Sequence, residues 1–481
     1  MALLRRAIEL HGAGKSAEAE RTYRAALALD GGNVDAQRNY GVLLHSLGRF
    51  AEAEQQARRA LALKPDDAEA QLNLALAMRK LGRPQDALEA VRRSLALRPN
   101  SATAELTLGN ALQDLDQNEA AEAALHRALA LQPDFAIALN NLGNAHIRRG
   151  AVDEAVAYYR RAVEVDPLYT EAHYSLGLAL LLQGELAEGL EEYEWRWQRG
   201  GLKPHRFRAP LWTTDAPSAA TVLVYSEQGI GDIIQFARYV PLLTARGHRV
   251  LFGVPPALER LFAHLGGATI VPPGKALPSF DRQIALLSLP RALGTRIETI
   301  PADVPYLAAP PKVVSHWRTR LGGDGGVKVG LVWRGSTTFA TDRKRSIDPS
   351  LLGPLFGVPG VRLISLQKEP RDHDLAVLRG FGPLEHIGAE LGDFADTAGA
   401  LLALDLVVSV DTAVAHLAGA LGHPVLLLLP FAPDWRWLLA RDDSPWYPSA
   451  RLFRQPALDD WPSVIARVAT ALRESATAQL R

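Results

Sequence analysis

Four short stretches of the 481-residue chain combine small, acidic and basic residues in ways that suit chemistry on an anion. The first, EQGIGDIIQFARYVPLL, follows the apolar run VLVY at 222–225. A strand that enters a glycine turn and leaves as a helix gathers backbone amides around a small anionic pocket. Gly229 and Gly231 permit the tight turn and Asp232 stands at the helix start, while Glu227 has the plain alternative of a surface acid in the turn. The second stretch, RGSTTFATDRKRS, places Arg334, Arg343, Lys344 and Arg345 around Gly335, Ser336 and Thr337. Small residues and cations beside a strand end suit a phosphate. The third, SLQKE, offers Gln367 to a base edge and Lys368 as a neutralising charge. In the fourth, DLVVSV runs into DTAVAHLAGALG, so that Asp411, Thr412 and Ala413 open a helix with His416 one turn inside. Exposed amides there would take a diphosphate. Singly, Asp411 reads as a helix cap and His416 as a structural histidine; together the four stretches carry more than any one of them.

Other chemistries fit less well. EQGIGD holds two glycines of a dinucleotide fingerprint, but Ile234 takes the third place, and the second strand ends GVPP where a ribose-binding acid is needed. Asp372-His373-Asp374 has the look of a metal-binding Asp-x-Asp, yet it follows Glu369-Pro370 at an expected helix start, where the dipole alone favours acids. No metal is expected. Without cysteine there is no disulfide, thiolate metal site or Cys nucleophile. Lys plus Arg and Asp plus Glu balance at 53 each, so no global field draws the chain to nucleic acid or an anionic membrane. The apolar run PVLLLLPFAP falls far below the roughly 20 residues of a membrane span. The opening MALLRRAIELHGAGK lacks an uncharged core of signal-peptide length, and a cytoplasmic setting is the expectation.

The elements that must position these residues come in two styles. Pro65, Pro99, Pro133 and Pro167 lie 34 residues apart, and Gly14, Gly48, Gly82, Gly150 and Gly184 keep the same phase, broken at Asp116. Ala19, Ala53, Ala87, Ala121 and Ala155 mark close helix approach. This is tetratricopeptide (TPR) spacing, and residues 1–199 resemble that family as six helix pairs. Asn39, Asn73 and Asn141 share a phase along the groove-lining helices, with Thr107 and Ser175 between them. They would bind a peptide backbone, or else reflect only the repeat consensus. Trp195, Trp197 and Trp212 read as an apolar cap on the solenoid end. After a Gly-, Pro- and Arg-rich linker at 200–220, strand-like runs at 222–225, 249–254 and 269–273 precede a second series at 327–333, 361–367, 405–410 and 424–430. Alternating strands and helices mean parallel sheets. The expected architecture is an α-solenoid followed by α/β: an acceptor-side lobe at 221–325 and a donor-side lobe at 326–481, both Rossmann-like and facing across a cleft.

GIGDIIQFARYVPLL together with SVDTAVAHLAGALGHPVLLLLP is similar to the heptosyltransferase family of GT-B glycosyltransferases. In that family a Gly-Asp-x-Ile turn opens the first lobe and an Asp-Thr-Gly-x-x-His segment opens the donor helix. With the repeats in front, the architecture also looks like the protein O-GlcNAc transferases and the TPR glycosyltransferases that modify bacterial flagellin. The resemblance covers most of residues 221–470. It implies Asp232 as catalytic base with Glu227 in reserve, Arg345 as phosphate-binding cation, and Asp411, Thr412, Ala413 and His416 as the donor loop, Ala413 standing where the family has glycine. It further implies metal-independent transfer from a nucleotide-activated sugar, a co-substrate and not a cofactor, to a hydroxyl of a protein or peptide in the TPR groove. The first lobe is shorter than in heptosyltransferases, and a solenoid that presents a protein is the natural substitute for their acceptor. The alternatives are a glycan or lipid-linked acceptor, and a catalytically inactive TPR adaptor with a degenerate sugar-nucleotide fold.

Overall fold

The computed structural model describes residues 1–202, 207–274, 276–323, 326–335 and 345–479. Its contacts divide the chain into two units, Met1–Ser175 and Leu176–Arg481.

The first unit is built of antiparallel helix pairs: α1 (Ala2–Gly12) with α2 (Ser16–Leu29), α3 (Val34–Ser46) with α4 (Phe50–Leu63), α5 (Ala68–Lys80) with α6 (Pro84–Leu97), α7 (Ala102–Asp114) with α8 (Asn118–Leu131), and α9 (Ala136–Arg148) with α10 (Val152–Val165). Each pair starts and stops for local reasons. Asn33, Asp67 and Ser101 cap the first helices of their pairs by accepting from the amides of Ala36, Ala70 and Ala104. Between the helices of a pair, Gly14, Gly48, Gly82 and Gly150 take a left-handed turn with φ between 72° and 77°. Asp116 adopts the same conformation at φ 58°, so the break in the glycine series is one of residue type and not of backbone. Short polar side chains tolerate that region better than most. The alanines of the close-approach series are buried, as the narrow gap between helices requires.

In the second unit, α11 (Thr170–Gln183, entering from the first) and α12 (Leu186–Tyr193) complete the repeats and lead into a short 3-10 turn, Glu194–Trp197. The second unit therefore includes the end of the repeats, and this last turn bonds to the segments after β1 and β4, as described below. Two parallel sheets follow. The first has order β3-β2-β1-β4, from β1 (Thr221–Tyr225), β2 (Arg249–Gly253), β3 (Thr269–Val271) and β4 (Arg282–Ala285). The second has order β10-β9-β8-β5-β6-β7, from β5 (Val327–Val332), β6 (Val361–Ser365), β7 (Glu385–His386), β8 (Leu406–Val410), β9 (Val425–Leu429) and β10 (Ala450–Arg454). Strands β1, β5 and β8 are almost wholly buried, as parallel strands covered on both faces must be. Val327, Val329, Leu331 and Trp333 pack in one core with Trp461, Val464, Ile465 and Val468 of the C-terminal helix Trp461–Gln479.

Residues 210–212, expected in the linker, instead cover an edge of the first sheet. Leu211 bridges to Gln283 of β4, and Trp212, 1% exposed, donates from its indole to His248. Trp212 is thus a core side chain, but it packs with His248 at the edge of the first sheet and not as a cap on the solenoid end. Around Trp195 and Trp197 it is the arginine between them that is most deeply buried.

Strand order reverses between β1 and β4 in one sheet and between β5 and β8 in the other. Ligands of open α/β sheets bind beyond the strand ends at such points. The turn after β1 contains EQGIGD, the segment after β5 begins Trp333-Arg334, and the segment after β8 begins with Asp411.

Candidate functional site

The turn after β1 delivers the helix α13 (Ile230–Phe236), with Gly229 at its N-cap. Asp232 closes the cap: its Oδ2 accepts from the Gly229 amide at 3.0 Å. Its Oδ1 accepts from Arg436 Nη2 at 2.5 Å. The carboxylate is held but not sealed off, since 22% of the side chain is exposed and a carboxylate offers about four acceptor positions.

After β8, Thr412 caps the helix α14 (Ala413–Ala420) without a side-chain bond of its own to that helix. Thr412 Oγ1 meets Ser409 Oγ at 3.1 Å, so the first amides of the helix are left to other acceptors. His416 is buried by an aromatic frame: its ring stacks on Trp437 at 5.3 Å between centroids, and its Nδ1 lies 3.0 Å from the Tyr447 hydroxyl. Its Nε2 lies 3.6 Å from Asp411 Oδ1. Burial opposes ionisation of Asp411, but the His416 contact outweighs it, helped by Trp437 and Arg345, and the carboxyl stays below its usual range.

These two helix starts meet. A Cβ at Gly231 would fall 2.9 Å from His416 Cδ2 and 3.5 Å from Ala413 Cα, so glycine is required at 231 by close approach. The structure therefore brings Gly229, Gly231 and Asp232 beside Asp411, Thr412, Ala413 and His416.

The remaining expected residues are placed differently. Glu227 is no surface acid: 4% of its side chain is exposed. Its Oε1 accepts from Arg196 Nη2 at 3.1 Å and from the Leu287 amide at 3.2 Å, and Oε2 is buried without a partner. Burial pushes its carboxyl up to about 7 despite the pull of Arg196. Arg334 is buried, with Nη1 3.7 Å from Asp374 Oδ2, and that carboxylate also accepts from Trp333 Nε1. Asp374 of the Asp-x-Asp therefore points into the fold. Gln367 is buried with Oε1 accepting from the Arg334 amide, which ties two strand ends together; this oxygen is not free for a base edge. Lys368 is exposed and donates to the Gly392 carbonyl at 3.2 Å. Gly335 follows Arg334 directly, while Ser336, Thr337, Arg343 and Lys344 lie outside the described residues. In the repeats, Asn39 donates back to the Asp35 carbonyl at 2.8 Å and Asn141 to Asn110 at 2.6 Å, so these amides are partly spent within the solenoid. Asn73 is half-buried, and Thr107 is buried with its hydroxyl on the Thr103 carbonyl.

Arg436, Trp437, Tyr447 and Arg196 complete the site and were not expected from the sequence. The signal was there as a doublet, EWRW at 194–197 and DWRW at 434–437.

Comparison with known proteins supports the repeats directly. The tetratricopeptide repeat model matches residues 4–68, 46–102, 106–167 and 152–199. The N-terminal region of this chain is thus a TPR array. Protein FlbA of Caulobacter vibrioides is 30% identical over 322 residues, a stretch that covers 60% of this chain and 53% of FlbA. The matched stretch spans about half the length of that relative, and a 60% share reaches past the repeats into the sheet unit. Among solved structures, a thermophilic TPR protein of Thermus thermophilus is 24% identical, covering 37% of this chain and 98% of its own, at a TM-score of 0.35. YrrB, described as a TPR protein with an unusual peptide-binding site, is 20% identical, covering 36% of this chain and 90% of its own, at a TM-score of 0.30.

Proposed function

We propose that this chain is a sugar transferase of GT-B type, its sheets forming two Rossmann-like lobes, acting on a protein or peptide acceptor recruited by the TPR groove. The observation that carries the reading is the approach of two strand-end turns from two parallel sheets, with Gly231, the residue before Asp232, against Ala413 and His416 of α14, whose Thr412 N-cap makes no side-chain bond to the helix. Nucleotide diphosphates suit that helix start, with Arg345 as a cation near Asp411. The acceptor hydroxyl oxygen attacks the anomeric carbon, its proton passes to Asp232, and the bond from that carbon to phosphate oxygen breaks to release the nucleoside diphosphate. Fixed cations and helix amides stabilise the departing charge without a metal. The whole reaction lies in the cytoplasm in this reading.

One observation favours the adaptor as a second reading: both oxygens of Asp232 already accept hydrogen bonds. Thermal-shift and hydrolysis assays over UDP-, GDP-, ADP-, TDP- and CMP-linked sugars separate the two. A transferase is stabilised by one of them and hydrolyses it slowly; an adaptor shows binding at most. Asp232→Asn should then keep donor affinity while transfer falls by about 10² to 10⁴. Transfer within threefold of the parent would make Asp232 only a helix cap.

A further inference from the structure

The pattern acid-Trp-Arg-Trp occurs at Glu194–Trp197, directly after the last repeat helix, and at 434–437, between β9 and β10. Both stretches form 3-10 turns. In each, the arginine turns inward and one Nη1 bonds the acid two residues earlier: Arg196 to Glu194 at 2.6 Å, Arg436 to Asp434 at 2.9 Å. In each, Nη2 then reaches the same loop. Arg196 takes Glu227 at 3.1 Å and Arg436 takes Asp232 at 2.5 Å. Those acids are the first and last residues of the turn EQGIGD, so two copies of one local design grip it at both ends.

The grips are braced against each other. Tyr193 packs on Trp435 at 6.5 Å, and its hydroxyl accepts from Gln228 Nε2 at 2.7 Å. Arg436 lies over Trp435 at 4.5 Å and donates from Nε to Gln235 at 2.7 Å. Arg196 also donates to Ser288 Oγ, whose hydroxyl reaches Glu194. Buried ion pairs are poor devices for stability alone, because desolvation offsets most of the attraction. What a planar fork supplies is direction, which a lysine does not.

We propose that Arg196 and Arg436 are matched positioning residues that aim the carboxylates at the two ends of this turn, and that the end of the repeat array is thereby part of the transfer site. This rests on the transferase reading and deepens it.

The test uses the full chain, with Arg436→Gln, Arg436→Lys and Arg196→Gln, and the UDP-, GDP-, ADP-, TDP- and CMP-sugar panel. Calorimetry counts donor sites and gives Kd; steady-state hydrolysis of the panel member the parent turns over fastest gives kcat and KM. The expected result is donor stoichiometry and Kd within about threefold of the parent, with kcat per site down by about 10², the cost of small misplacement of a reacting group. Arg436→Lys should recover little of that loss. If Arg196→Gln does not fold, Arg196→Lys keeps a cation beside Glu227 without the planar fork and carries the same expectation. Parental kcat per site in the glutamine variants, with only the stoichiometry reduced, assigns a purely structural role and overturns the proposal. Full rescue by Arg436→Lys overturns the aiming role in favour of charge alone. A parent that neither binds nor hydrolyses any panel member removes the transferase reading itself and the positioning role with it.

Discussion

Arg49 and Arg83 occupy one phase of successive repeats, and each bonds the same two kinds of acid: one three residues on, Glu52 or Asp86, and one 29 residues back, Glu20 or Glu54. Their side chains are 31% and 42% exposed. In the sheet unit, Arg196, Arg238, Arg334 and Arg436 are all buried. Arg238 donates to the carbonyls of Gln235, Pro301 and Trp446 and to the Tyr306 hydroxyl, stacked between aromatic rings, whereas Arg196 and Arg436 take the acids of one turn. The same residue type therefore serves two ends. On the repeats it follows the register of a lattice in high dielectric, where a pair adds little. Around EQGIGD it is desolvated, and each donor's direction fixes a piece of backbone or a carboxylate.

The contrast is sharpest at Arg196→Met. Removing this cation leaves the buried Glu227 without its partner and beside the part-exposed Glu194, and loss of one partner from such a buried pair costs about 3 to 5 kcal/mol. All nine tryptophans lie at or beyond Trp195, so the fluorescence unfolding transition in denaturant reports the sheet unit alone. A loss below about 1 kcal/mol on that transition would put Arg196 with the repeat arginines and end the distinction.

Glu227 gives the next effect, and it has a sign. The groups facing its carboxyl are Arg196, Glu194 and the Leu287 amide. Burial raises the carboxyl from 4.5 to about 7, so between those values the folded chain holds a proton that the unfolded chain has released. Stability of the sheet unit should then fall as pH rises from about 5 to about 7 and level off above, by about 3 kcal/mol at most. Glu227→Gln should remove that slope. A parental slope in the variant would assign the titration to another group.

The repeats were legible because each constraint recurs: one glycine or proline is ambiguous, but a phase held over 34 residues is not, and even Asp116 kept the backbone its position demands. The seven apolar runs became strands for a similar reason: six are central parallel strands, which are continuously apolar, and the seventh, Thr269–Val271, is a short apolar edge. Three strands escaped. Arg282–Ala285, Glu385–His386 and Ala450–Arg454 are short or carry charges, and in the sheet orders they lie at edges. At the site, each strand-end cluster could be found from local pattern, but not its neighbours. Asp232 and Arg436 are 204 residues apart, and no spacing rule connects them. The plain alternative for Glu227, a surface acid, fails because its partners Arg196 and Leu287 belong to other elements. Gln367 was read for its chemistry, although its oxygen is spent on the Arg334 amide.

Arg83→Ala tests the other side of the contrast, and it should do least. Arg83 donates from Nε to Asp86 at 2.7 Å and from Nη1 to Glu54 at 3.0 Å, the geometry that Arg49 repeats one period earlier. Good geometry alone does not make such a pair strong. Asp86 remains hydrated, the arginine regains rotamer freedom when released, and the less exposed Glu54 keeps Arg58 at 2.8 Å as an alternative cation. The melting temperature of the helical unit, followed by circular dichroism, should therefore fall by less than about 2 °C. Raising salt to 1 M, where the Debye length is about 3 Å, should erase what difference remains. A drop of about 5 °C or more that survives high salt would mean that the repeat arginines also fix backbone, and burial would no longer separate the two populations.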